Sequence, residues 1–107
     1  MQITDFISKD NVLEYLKEIK TALKKEGIKK LGLFGSFARG DASFGSDIDI
    51  LIETDELFLK NYPAFRAFSR LQEIRESISN RFGGIRVDIC DISGLKKSDI
   101  PKEVIYV

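Results

Sequence analysis

Leu31-Gly32-Leu33-Phe34-Gly35-Ser36-Phe37-Ala38-Arg39-Gly40, followed within a few residues by Ser46-Asp47-Ile48-Asp49-Ile50-Leu51-Ile52, is the stretch on which the reading of this chain turns. The apolar run 31–34 suits a short buried strand, which Gly35-Ser36 ends before Phe37-Ala38-Arg39 begins a helical turn. That order sets backbone N–H groups and the Ser36 hydroxyl where they can grip phosphate oxygens. Residues 46–52 alternate as a strand does, so Asp47 and Asp49 project from one face and Ile48, Ile50 and Ile52 from the other. A strand with two carboxylates on one face and apolar groups on the reverse is arranged to hold a metal. Each half alone is weak: Gly-Ser is a common turn and Asp-x-Asp a common polar edge. Correctly ordered and spaced, they point together to nucleotide chemistry.

Gly35-Ser36, a ten-residue spacer and Asp47-x-Asp49 resemble the signature of the DNA polymerase β-like nucleotidyltransferase superfamily. Gly35 to Gly40, Ser46 before the first aspartate and the short length are most like the minimal nucleotidyltransferases (MNT), which accompany helical HEPN proteins as toxin–antitoxin pairs. The likeness covers nearly the whole chain. It implies an α+β fold, with a small mixed β-sheet and flanking helices. It also implies a third carboxylate from a later strand, for which Asp88 in Ile85-Arg86-Val87-Asp88-Ile89-Cys90 is the candidate.

By the same resemblance, Asp47, Asp49 and Asp88 are the catalytic and metal-binding residues for two Mg²⁺ ions. Gly35 and Ser36 are the nucleotide-binding residues, and ATP is the substrate. The acceptor implied is a hydroxyl, tyrosine by family analogy, on a HEPN-type toxin that the chain would neutralise. Two alternatives stay open: a non-catalytic antitoxin that acts by binding, and a subunit that modifies a small molecule.

Composition narrows the field. The chain has 107 residues, which is expected to form one domain over 1–107 with no room for a separate acceptor-binding domain. Recognition would then come from a partner or a homodimer. Lys and Arg number 17, as do Asp and Glu, so the zero net charge argues against gripping extended nucleic acid. There is no histidine, which excludes Ser-His-Asp hydrolysis and His-ligated zinc within this chain. No apolar run is long enough to cross a bilayer, and Met1 to Asp5 lack the marks of a signal peptide, so a cytoplasmic location is expected. The single cysteine, Cys90, reads as a buried strand residue.

Helical periodicity over 12–26 begins at a cap supplied by Asp10 or Asn11 and stops at Gly27; a second helix is expected from Pro63 to Asn80, with Phe65, Phe68, Leu71, Ile74 and Ile78 on one stripe. Leu57, Phe58, Leu59, Tyr62, Phe65 and Phe68 exceed what one stripe requires, making the surface around Phe58, Tyr62 and Phe65 a candidate partner face, together with the Val104 to Val107 tail. Arg39 is read either as a phosphate contact or as an ion pair with Asp41. Asp91, by strand parity, should face away from the site, and Arg86 is expected to face away from Asp88 in a regular strand and so to lie outside the site.

Overall fold

The structure is a computed structural model that describes residues 7–107; the opening residues read above for a leader, Met1 to Asp5, lie outside that range. Helix α1 spans Lys9–Glu26 and ends at Gly27. Its cap is Ser8 rather than Asp10 or Asn11: the Ser8 hydroxyl accepts from the Asn11 backbone N–H at 3.1 Å, while Asp10 takes up a first-turn position that complements the helix dipole. Val12, Leu16 and Leu23 recur at helical spacing and are buried.

The chain then enters strand β1 (Ile28–Phe34), the short helix α2 (Gly35–Arg39) and strand β2 (Ile48–Thr54). A six-residue helix α3 (Glu56–Asn61) follows, capped by Asp55, whose carboxylate accepts from the N–H groups of Leu57 and Phe58. Helix α4 covers Phe65–Arg81 and leads to strand β3 (Val87–Asp91). After a 3-10 turn at Lys97–Asp99, residues Ile105–Tyr106 form strand β4. Helix α4 begins two residues later than Pro63 suggested, because Ala64 takes a positive φ of 54° and breaks the run of helical dihedrals.

The four strands form one mixed sheet in the order β3-β2-β1-β4, with β3 parallel to β2 and the remaining pairs antiparallel. Alternation divides its residues between two faces. Leu31 and Leu33 of β1, Ile48, Ile50 and Ile52 of β2 and Val87 of β3 join the buried cluster with Leu16 of α1 and Ile74 and Ile78 of α4. Both long helices thus cover one face. The same period places Asp49 and Asp88 on the other.

Phe58 is 2% exposed and belongs to the core, which removes it from the expected partner face. Tyr62 is engaged as well: its hydroxyl donates to Glu26 Oε1 at 2.7 Å. Phe65 and Phe68, expected on the buried stripe of α4, are 89% and 66% exposed, so only the C-terminal half of that stripe reaches the core. The Val104 to Val107 segment docks on the domain itself, through β4 and a bond from Val107 N–H to the Leu31 carbonyl at 3.0 Å.

Glu26 also accepts two bonds from Arg70, Nε to Oε1 at 2.6 Å and Nη2 to Oε2 at 2.7 Å. The cluster ties the end of α1 to α3 and α4. The Arg70 guanidinium lowers the Glu26 pKa from the ordinary carboxylate value, outweighing the opposing effect of burial.

Candidate active site

Strand order explains how residues far apart in sequence come together. In the parallel register of β2 and β3, Asp49 is the partner of Asp88, so the two residues sit opposite each other on neighbouring strands, whose backbones run about 4.8 Å apart. In the antiparallel register of β1 and β2, Asp49 is the partner of Phe34, which brings the turn at Gly35 against it. The contact is close. Gly35 has φ +76°, and a Cβ placed there would collide with the Asp49 carboxylate. Glycine is required at this position both by its dihedral and by its neighbour. The Ser36 hydroxyl, half-buried in the first turn of α2, makes no hydrogen bond among the described residues and is free to meet a ligand.

Asp49 is held above the ordinary carboxylate pKa by burial first, then by the charges of Asp88 and Asp47, with Arg39 opposing them. Like charges so arranged constitute a local deficit of positive charge. Arg39 itself pairs with Asp41, Nε to Oδ2 at 3.2 Å, so the ion-pair reading of that residue holds in this structure. Asp91 faces away as parity requires and accepts from the Ser93 N–H at 2.9 Å.

Arg86 corrects the sequence reading. It does not face away from Asp88, because residues two apart on an extended chain share a face. Its Nε lies 3.7 Å from Asp47 Oδ2 and 3.8 Å from Asp88 Oδ1, bridging the two carboxylates. The signal was present in the spacing Arg86-x-Asp88. Cys90 is half-buried rather than fully buried, and burial followed by the Asp91 charge raises its pKa, which disfavours the thiolate.

Two cavities flank the carboxylates. One, of about 500 Å³, opens beside Asp47 among Phe37, Phe44, Phe82, Gly83 and Arg86. The other, of about 430 Å³, opens beside Asp88 against α4. Arg86 lines both.

Among the described residues, no group of three or more acidic, cysteine or histidine side chains is drawn tightly enough together to hold a metal unaided. The donor set nevertheless fits a hard cation that arrives with its own ligands. Mg²⁺ is commonly held by one or two carboxylates while phosphate oxygens and water complete its shell. The uncompensated charge at Asp49 marks where such an ion would be favoured.

Comparison with known proteins agrees with this geometry. The profile of the nucleotidyltransferase domain family matches residues 16–106. Protein adenylyltransferase MntA of Thermococcus cleftensis is 37% identical over 103 residues, an alignment covering 89% of this chain and 95% of that protein. A Methanocaldococcus jannaschii protein, provisionally named a protein adenylyltransferase, is 38% identical over 101 residues, covering 90% of this chain and 94% of the relative. A solved structure provisionally described as a minimal nucleotidyltransferase superposes with a TM-score of 0.61 at 24% identity, over 86% of this chain and 85% of that one, a likeness of fold. The chain therefore belongs to the nucleotidyltransferase domain family, as an enzyme of its minimal kind. Among the described residues, no helix is long and apolar enough to cross a membrane.

Proposed function

We propose that this chain transfers AMP from ATP to a hydroxyl group of a protein. The observation that carries the reading is the register pair Asp49 and Asp88 beside the Gly35 turn, which sets a glycine turn and two carboxylates in one place. The names of the relatives support a protein as acceptor. The resemblance to minimal nucleotidyltransferases supports a HEPN-type toxin as that protein, tyrosine as the hydroxyl and neutralisation of the toxin as the outcome.

In this mechanism Gly35 N–H and the Ser36 hydroxyl hold the outgoing phosphates. Asp47 and Asp49 would hold one Mg²⁺, and together with Asp88 a second. Bound metal would supply positive charge to offset the charge developing on the phosphates. Asp88 orients the acceptor hydroxyl and takes its proton. The hydroxyl oxygen attacks the α-phosphorus, an O–P bond forms, the bond from that phosphorus to the bridging oxygen breaks, and pyrophosphate leaves.

The test uses the chain with its partner protein, ATP and Mg²⁺, and intact-mass measurement of the partner. The expected result is the mass gain of an adenylyl group, reduced about 10²–10³-fold in rate by Asp47→Asn, which keeps the shape and loses the ligand charge. An unmodified partner that is still neutralised, equally well by the aspartate variant, would instead establish a non-catalytic binding subunit.

A further inference from the structure

Among the described residues β3 is one edge of the sheet and β4 the other. The Ile48 N–H donates to the Arg86 carbonyl and the Ile92 N–H to the Ile52 carbonyl, so even-numbered residues here bond inward to β2. Backbone groups of Val87, Ile89 and Asp91 consequently point outward, where among the described residues no strand pairs with them. The cavity of about 430 Å³ beside Asp88 straddles this edge, with Ile89 from one face of the sheet and Arg86 and Asp88 from the other. Its far wall is one stripe of α4, Phe68, Leu71 and Arg75.

Two of these side chains have no internal task that accounts for them. Phe68 is 66% exposed although the same helix buries Ile74 and Ile78, six and ten residues further on. Arg75 donates to the neutral Gln72 Oε1 at 2.8 Å and, like Arg66 and Arg81 but unlike Arg39, Arg70 and Arg86, has no carboxylate within ion-pair distance among the described residues. A cation left without an anion, an apolar ring in water and an unpaired strand edge lie along one channel that ends at Asp88.

We propose that the channel between α4 and the edge of β3 binds the acceptor: an extended protein segment, acidic beside its reactive hydroxyl, that pairs with β3, packs an apolar side chain on Phe68 and sets a carboxylate on Arg75. Strand addition supplies main-chain hydrogen bonds, and the flanking side chains supply selectivity. The assignment deepens the function proposed above and rests on it for the reaction, though not for the binding.

The test uses the full chain and two short fluorescent peptides with a central tyrosine, one flanked by glutamates and one by lysines, followed by fluorescence anisotropy. The acidic peptide is expected to bind at least about tenfold tighter, a preference that Arg75→Glu abolishes. Phe68→Ala should weaken both peptides about fivefold or more. N-methylation of the acidic peptide's backbone should weaken it as well, since strand addition needs the N–H groups. Both side chains are solvent-accessible, and unchanged thermal unfolding would confirm that each variant is folded. Equal affinity for the two peptides, or a preference untouched by Arg75→Glu, overturns the channel. Peptide bound with the expected preference but not adenylylated with MgATP leaves the channel standing and overturns the proposed reaction; adenylylation without charge preference does the reverse.

Discussion

Gly35→Ala tests whether the turn and the carboxylates are one device. The substitution acts twice: it forces an L-residue into the left-handed region at φ +76°, and it drives a methyl group into the Asp49 carboxylate. The first effect costs about 1–2 kcal/mol. The second obliges Asp49 to leave its rotamer, for about 1 kcal/mol more. Together these come to about 2–3 kcal/mol, or roughly a 10–15 °C fall in Tm for a domain of this size. Gly40 is the matched control, with φ +81° and nothing within 4 Å of an added Cβ, so Gly40→Ala incurs the first cost alone. MgATP binding by calorimetry completes the comparison. Displacing the Asp49 carboxylate by an ångström should weaken use of the nucleotide about 10²-fold in Gly35→Ala, whereas Gly40→Ala should retain it. Two variants indistinguishable in both melting and nucleotide binding would refute the claimed coupling.

Asp49→Asn should be more stable than the wild type at neutral pH. The folded-state pKa of Asp49 is raised, so its ionised form is disfavoured by folding, and the gain should shrink as acid protonates the wild-type carboxyl; a urea series across that range would show it, and a variant less stable at neutral pH would contradict the like-charge reading. Phe58→Ala should cost about 3–5 kcal/mol, as removal of a buried ring does, while Leu59→Ser, at a 60% exposed neighbour, should stay within about 0.5 kcal/mol by denaturant midpoint.

Much of this architecture was legible because the residues that build it are periodic. The period of α1, the alternation of residues 46–52 and the Gly35-Ser36 break all mark elements the structure contains. What escaped was set by competition or by distance. Three residues near the start of α1 could each cap it, and only the fold selects Ser8. Lys29 and Lys30, exposed between the buried Ile28 and Leu31, interrupt the apolar run and hide the true beginning of β1 at Ile28. Helix α3 is too short to show a period, although Asp55 ahead of Glu56 is a cap in plain view. Phe65 and Phe68 share the helical spacing of Ile74 and Ile78, but spacing does not tell how far the sheet beneath the helix extends. The pairing of Asp49 with Asp88 is a fact of strand order, which no local pattern encodes. Arg86 escaped through a parity error, not for want of information.

Strand β3 and the residue before it assign their side chains by parity, Val87 and Ile89 to the interior and Arg86 and Asp88 to the opposite face. A chain threaded one residue out of step would exchange these sets, sending a carboxylate into the hydrocarbon layer and a valine to the position of Asp88 opposite Asp49. An unpaired charge buried in that way costs several kcal/mol. The nearest competing thread is thus separated from the native one by a gap on the scale of the whole domain's stability, and the acidic residues of the site help to define the fold by being intolerable anywhere else.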